Sequence, residues 1–218
     1  MTQFTKKSFE LLIDLAANNE REWFKAHKAE FDTWLLDPFA ETLEAISNRL
    51  GASDMDLRGG KKTMFRMHRD VRFSKDKSPY KTNVSGLLSP GGDKRENEGF
   101  AYLQLDAEGG FAAAGRYNLN PKALGPIRDR ILEEPERFGE ILDGLRANGL
   151  DLDRSMSLSS MPRGYAEHSE HRFADELKLK SMIVREDLPK SAWKTGEVVE
   201  RVAALGLNAR AFIGFVSI

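Results

Sequence analysis

The chain of 218 residues contains no cysteine, which excludes disulfide bonds, thiol nucleophiles and thiolate metal ligands. It also lacks any apolar run close to the ~20 residues that a membrane-spanning helix needs. Its first residues lack the basic and apolar regions of a secretory signal. A formal net charge of −1 gives the chain as a whole no affinity for polyanions or membrane surfaces. We therefore expect a cytoplasmic protein without membrane association, in which any anion binding is local.

Apolar residues recur at helical spacing through the first quarter of the chain. They predict three helices, the first over residues 5–17 and the second beginning after an N-cap at Asn19. The third is predicted to begin at an N-cap at Asp37, which precedes a proline, and to end at Gly51. The N-terminal quarter is therefore predicted to be helical.

Short apolar runs separated by glycine pairs follow, a pattern typical of antiparallel strands joined by tight turns. The predicted strands are residues 55–57, 62–67, 84–88, 100–107 and 111–117. Residues 112–115 read Ala-Ala-Ala-Gly, and such small side chains allow another element or a ligand to approach the strand closely. Helix packing is the simpler of those two interpretations.

Helical patterns return after the strands. Asn120-Pro121 and Pro135 are each expected to begin a helix, a short strand is expected at 181–184, and a helix is expected at 192–204. The apolar residues 211–216 are expected to pack against the core.

The order of helices, strands and helices predicts an α+β fold with a central antiparallel meander and C-terminal helices packed on the sheet. The length suits one domain over residues 1–218. That domain is predicted to be helical over residues 1–51, mainly β over 52–118 and mainly helical over 119–218.

Positive charge is concentrated in residues 61–81. Eight basic residues stand against two acidic ones, Asp70 and Asp76, which leaves a local excess of six positive charges. The basic residues are Lys61, Lys62, Arg66, Arg69, Arg72, Lys75, Lys77 and Lys81. Like charges at this density repel one another unless solvent, carboxylates or an anionic ligand compensate them. We therefore predict that this segment is the functional centre.

Residues 66–80 read R-M-H-R-D-V-R-F-S-K-D-K-S-P-Y. This segment resembles the uncharacterised family called domain of unknown function 2461, whose hallmark is R-x-x-R-D-x-R-F-x-x-D-K-x-x-Y. The matching positions are Arg66, Arg69, Asp70, Arg72, Phe73, Asp76, Lys77 and Tyr80. Three further segments also resemble that family, namely Asn18-Asn19, Trp23-Phe24 and Gly115-Arg116-Tyr117. The resemblance implies a small, widely distributed bacterial protein without an established activity, and it adds Arg116 to the candidate ligand-binding residues.

The chemistry of the segment favours recognition of an anion. A guanidinium group can contact phosphate or carboxylate through two parallel hydrogen bonds, and a nearby carboxylate such as Asp70 can hold one guanidinium in place. If the chain is extended, alternation places Arg66, His68, Asp70 and Arg72 on one side. The rings of Phe73 and Tyr80 offer surfaces on which a base or sugar could stack. The other candidate ligand-binding residues are Arg69, Asp76, Lys77, Lys81 and Arg116.

The predicted ligand is an anionic small molecule or single-stranded nucleic acid, and the oligomeric state is left open. One alternative is that Arg69, Asp70, Arg72, Asp76 and Lys77 form an ion-pair network that holds the loop in place. In that alternative Phe73 and Tyr80 would be its hydrophobic anchors. Two carboxylates cannot neutralise eight basic groups, however, unless acids such as Glu20, Glu22 or Glu30 fold back onto the loop, and this surplus of cations favours a ligand. A surface for an acidic protein partner is a further alternative.

An enzyme acting on a phosphorylated or carboxylated small molecule is the remaining alternative. Asp70, His68 and Tyr80 are then the candidates for proton transfer. A Mg²⁺ site would gather carboxylates rather than cations. His168 and His171 have spacing that suits a metal, but we expect them to be exposed histidines. No cofactor and no metal is predicted.

Overall fold

The computed structural model describes residues 4–53, 55–93 and 101–217. Its α-helices are α1 (Lys6–Ala17), α2 (Arg21–Phe31), α3 (Asp37–Gly51), α4 (Pro121–Glu133), α5 (Pro135–Ala147), α6 (Ala174–Leu177), α7 (Lys190–Thr195), α8 (Val198–Asn208) and α9 (Arg210–Val216). Its strands are β1 (Asn83–Leu88), β2 (Ala101–Asp106), β3 (Gly109–Arg116) and β4 (Met182–Asp187).

The strands form one antiparallel sheet with the order β1-β2-β3-β4. In its first pair, Asn83 lies opposite Asp106 and Leu88 lies opposite Ala101. The strand order β1-β2-β3, with a tight turn at residues 107–108 between β2 and β3, makes the predicted meander, and β4 is added after α6. The predicted α+β class, with helices before and after a central sheet, is confirmed.

The chain divides into two compact units. The first consists of Met1–Ala112 and Glu186–Leu207, and the second of Ala113–Arg185 and Asn208–Ile218. The boundaries fall inside β3, inside β4 and at the last residue of α8. The assignment of residues 1–218 to a single domain stays a prediction.

In the first unit, α2 continues into α3 through a π-helical turn at Asp32–Leu36. The buried residues Phe31, Leu35, Phe39 and Leu43 follow one another at spacings of four, which exceed the 3.6 residues of an α-helical turn. The wider π-helical turn absorbs this difference and keeps all four side chains in the core. The predicted N-cap at Asp37 is therefore wrong, because the chain is already helical there.

Two predicted strands do not form. Residues 61–63 make a 3₁₀ turn, and Met64 makes only an isolated bridge, to Gly86. The Thr63 hydroxyl donates to the Gly60 carbonyl at 3.0 Å and accepts from the Gly60 N–H at 3.0 Å. This local turn competes with a regular strand at residues 62–67. The predicted strand at residues 55–57 is likewise absent from the described residues, and a single bridge joins Arg58 to Ser89.

The other predicted strands, including the one at 181–184, correspond to β1, β2, β3 and β4, although residue 100 lies outside the described residues. The start predicted at Asn120 is confirmed, since its side-chain oxygen accepts from the Ala123 N–H at 3.0 Å. The helix predicted over residues 192–204 is instead two helices. Gly196 has a φ of +81°, a left-handed conformation that ends α7.

Candidate functional site

Residues 66–81, which we call the basic loop, belong to the first unit and are closed at their base by backbone hydrogen bonds. The Arg69 N–H donates to the Pro79 carbonyl at 2.9 Å, and the Lys81 N–H donates to the Met67 carbonyl at 2.8 Å. His68 and Tyr80 form the antiparallel bridge between these bonds. The charged residues at the tip are therefore carried by a hairpin with a defined base.

Tyr80 anchors the basic loop to the N-terminal helices. Asn19 donates from Nδ2 to the Tyr80 carbonyl and accepts the Tyr80 N–H at Oδ1, each at 3.0 Å. The Phe24 ring stacks on Tyr80 with centroids 4.1 Å apart, and Tyr80 is 5% exposed. The predicted N-cap role of Asn19 is wrong, because Glu20 is the N-cap residue of α2. A side-chain amide has one donor side and one acceptor side, so it can satisfy both backbone groups of a single residue.

Arg69 and Asp76 form an ion pair across the loop. Arg69 also donates from Nη1 to the Ser78 carbonyl at 3.2 Å. Asp76 accepts from the Ser78 N–H at 2.9 Å and from the Ser78 hydroxyl at 2.6 Å. Hydrogen bonds from Ser78, followed by the one from Arg69, lower the pKa of Asp76 to about 2.

Asp70 holds the guanidinium of Arg72 with two hydrogen bonds, Nε to Oδ1 at 2.9 Å and Nη2 to Oδ2 at 2.7 Å. The Arg72 N–H also donates to Asp70 Oδ1 at 3.2 Å, which makes a local turn. This turn ends the extended conformation, so the condition for placing Arg66, His68, Asp70 and Arg72 on one side is not met. The hydrogen bonds from Arg72 lower the pKa of Asp70.

Five cations of the segment 61–81 make no ion pair with any described carboxylate. They are Lys62, Arg66, Lys75, Lys77 and Lys81. Lys77 donates to the Val71 carbonyl at 2.9 Å. Lys81 is half-buried, with Nζ 5.3 Å from the centre of the Phe65 ring. Burial, and to a smaller degree the positive charge of Arg66, lower the pKa of Lys81. The surplus of positive charge predicted from the sequence is thus only partly neutralised within the described structure.

A cleft of about 430 Å³ lies beside the base of the basic loop. The residues that line it are Ala16, Asn19, Arg69, Asp76, Ser78, Tyr80, Lys81, Thr82 and Asn83. The side chains of Lys81, Thr82 and Asn83 make no hydrogen bond with any residue that the structure describes. The hydrogen-bonding groups of these three consecutive side chains are therefore available to solvent or to a ligand. We call this volume the Lys81 cleft.

Sequence reasoning missed Asn19, Thr82 and Asn83 as residues of this site. Thr82 and Asn83 directly follow Lys81 and precede the apolar part of β1, so a run of three polar residues before a strand was the available signal. Asn19 was marked only by the family resemblance of Asn18-Asn19, and nothing in the sequence linked it to Tyr80, its partner 61 residues away.

Other predicted residues are not among those that line the Lys81 cleft. Phe73 is 96% exposed, so it is not a hydrophobic anchor of the loop. His68 is exposed, with its ring 4.8 Å from that of Tyr80. Among the candidates for proton transfer, Tyr80 lines the cleft, whereas Asp70 and His68 are not among its lining residues.

Arg116 belongs to the second unit, at the end of β3. It donates from Nη1 to the Val216 carbonyl at 3.4 Å, and its Nε is buried without a hydrogen-bond partner among the described residues. Its contacts in this unit are therefore to the backbone near the end of α9.

Because the pKa of Asp76 is lowered, the stability of the basic loop is expected to decrease at low pH. Because the folded-state pKa of about 2 lies below the ordinary 3.8, the stabilisation is complete above about pH 4 and is lost as the pH falls through 2. We expect the melting temperature of Asp76→Asn to fall less between pH 4 and pH 2 than that of the unmodified protein. Thermal melts of both proteins test this. If the two melting temperatures fall by the same amount between pH 4 and pH 2, Asp76 makes no such contribution.

The described residues include no group of three or more His, Asp or Glu side chains that could hold a metal ion. Within the same described ranges, no helix is long and apolar enough to cross a bilayer.

No curated protein and no solved structure matches the chain. The model of a family described as conserved hypothetical protein (DUF2461) matches residues 7–215. Because that match covers nearly the whole chain, the protein belongs to this family, and the predicted family is confirmed.

Proposed function

We propose that the Lys81 cleft binds the phosphate or carboxylate group of an anionic ligand. The observation that carries this proposal is the state of Lys81. It is a half-buried amine that lines a cleft of about 430 Å³ and has no ion-pair partner among the described carboxylates. Taking a cation out of water costs free energy unless an opposite charge compensates it. A bound anion would supply that charge.

The neighbouring side chains suit the same ligand. The Thr82 hydroxyl and the Asn83 amide can donate to anionic oxygens, and neither is engaged by a described residue. Arg69 adds a guanidinium to the wall, held in position by Asp76 and the Ser78 carbonyl. Arg66 lies close enough to lower the pKa of Lys81 electrostatically, so it adds to the positive potential. A cleft of this volume can enclose a small ligand.

A purely structural role accounts for only part of the loop. The pairs Arg69–Asp76 and Arg72–Asp70 fit that role, since each cation has an internal partner. Lys81 and Arg66 do not fit it, because neither makes an ion pair with a described carboxylate. The unpaired cations therefore favour a ligand over an internal network.

Calorimetric titration with inorganic pyrophosphate and with citrate tests the proposal. We expect at least one of these anions to bind, with an affinity that decreases as salt is added. Lys81→Met keeps most of the side-chain length and removes the charge, and we expect it to weaken binding about tenfold or more, as for the loss of a hydrogen bond to a charged group. Lys75→Met, which removes an exposed lysine of the same loop outside the cleft, is the matched control.

Thr82→Val is a second variant, and it distinguishes binding in the cleft from non-specific attraction between the basic loop and an anion. It removes a hydroxyl without changing charge or shape, and we expect it to weaken binding about fivefold, as for one hydrogen bond. The proposal is wrong if neither anion binds, or if Lys81→Met and Lys75→Met weaken binding equally. Thermal melts of each variant confirm that the fold is retained.

A further inference from the structure

We infer that the anion bound at the Lys81 cleft is a phosphate of single-stranded nucleic acid and that Phe73 stacks on one of its bases. This inference rests on the proposed function, and it begins from the exposure of Phe73. The ring is 96% exposed at the tip of the basic loop. Tyr80, the other aromatic residue of the same loop, is 5% exposed and stacked on Phe24. The loop therefore buries one ring and presents the other to solvent.

The surroundings of Phe73 are cationic. The Arg72 guanidinium lies 5.8 Å from the centre of the Phe73 ring. Lys75 and Lys77 follow within four residues, and neither is paired with a described carboxylate. Toward the base of the loop, Arg66 and Lys81 continue this series of unpaired cations. The loop thus combines a flat apolar surface with a series of unpaired cations, and the last of them along the chain, Lys81, lines the cleft.

Single-stranded nucleic acid complements both features in one ligand. Its phosphates repeat along the chain and match several cations, while its unpaired bases expose flat faces to an aromatic ring. A duplex would keep those faces stacked internally. An acidic peptide would match the charges but not the ring. A membrane surface would need more apolar area than this tip offers, since Val71, the nearest large apolar residue along the chain, is half-buried.

Fluorescence anisotropy with labelled oligothymidylate and oligouridylate of about twelve nucleotides tests the inference, since one binding site spans roughly 4–16 nucleotides. We expect Phe73→Ala to weaken binding to at least one of them fivefold or more, and Phe73→Trp to retain it. Tyr117→Ala is the matched control, because Tyr117 is an aromatic residue that is 67% exposed in the second unit. We expect Tyr117→Ala to leave the affinity unchanged. An abasic strand of equal length should bind Phe73→Ala and the unmodified protein equally.

The same variants separate this inference from the proposed function. Phe73→Ala should leave pyrophosphate and citrate binding unchanged, whereas Lys81→Met should weaken both small-anion and oligonucleotide binding. If a small anion binds and neither oligonucleotide does, or if Phe73→Ala has no effect on either, the stacking inference is wrong and the proposed function stands. Binding to phosphatidylserine vesicles that requires Phe73, without oligonucleotide binding, would also overturn the inference. If Lys81→Met leaves all binding intact, the proposed cleft is wrong.

Discussion

Replacing Arg128 by methionine is expected to lower the free energy of unfolding by about 2–5 kcal/mol. Arg128 lies in α4 and is 4% exposed, and it makes no ion pair with any described carboxylate. It donates from Nε to the Leu177 carbonyl at 2.7 Å and from Nη2 to the Leu179 carbonyl at 3.2 Å. Its guanidinium carbon is 5.7 Å from the centre of the Tyr165 ring. Methionine would fill similar volume but leave two carbonyl groups without their donors.

Arg146→Met is the matched control for this loss. Arg146 lies in α5 of the same unit, its side chain is 51% exposed, and it pairs with Asp143 at 3.1 Å. Exposed ion pairs of this kind contribute about 0–1 kcal/mol, so we expect little change. Urea denaturation of both variants measures the difference. Equal losses would mean that the two carbonyl groups near the end of α6 do not depend on Arg128.

Gly115→Ala is expected to lower the free energy of unfolding by about 3 kcal/mol or more. Gly115 has a φ of +121°, a conformation that residues with a side chain rarely adopt. A β-carbon there would lie 2.2 Å from the Met182 carbonyl oxygen of β4 and 3.1 Å from the Phe212 ring of α9. Within the small residues at 112–115, Gly115 thus admits the side chain of a helix residue, in line with the expected helix packing, and also the backbone of the neighbouring strand.

Gly144→Ala is the control with the opposite expected sign. Gly144 is an exposed residue within α5, and an added β-carbon would meet nothing within 4 Å. Alanine is a better helix former than glycine by about 0.5–1 kcal/mol, so this variant should be more stable than the unmodified protein. Chemical denaturation of the two variants tests both signs. A neutral Gly115→Ala would contradict the close approach of the two strands.

Local signals predicted much of the fold. The asparagine before Pro121 begins α4 as expected, and Pro135 begins α5. Glycine pairs and short apolar runs located β1, β2 and β3 to within a residue or two. These features act over a few residues, because caps, turns and side-chain periodicity are satisfied within one element.

The wrong predictions also rested on local signals of this kind. Residues 62–67 were predicted to form a strand, yet the hydrogen bonds between Thr63 and Gly60 favour a turn. The helix predicted to begin at Asp37 is continuous with α2, because burial of one apolar row continues through a π-helical turn. At residues 62–67 a competing local turn outweighed the strand propensity. At Asp37 the burial of an apolar row outweighed the signal for a helix start.

The sequence alone determined the concentration of charge in residues 61–81, because charge belongs to the residues themselves. Only the tertiary structure decided which charges are neutralised, since Asp76 pairs with Arg69 and Asp70 with Arg72, while Lys81 has no ion pair with any described carboxylate. It also decided that Tyr80 is buried and Phe73 exposed, through contacts of Tyr80 with Asn19 and Phe24 that join distant parts of the chain. Such choices depend on distances between groups, and those distances exist only after the chain has folded.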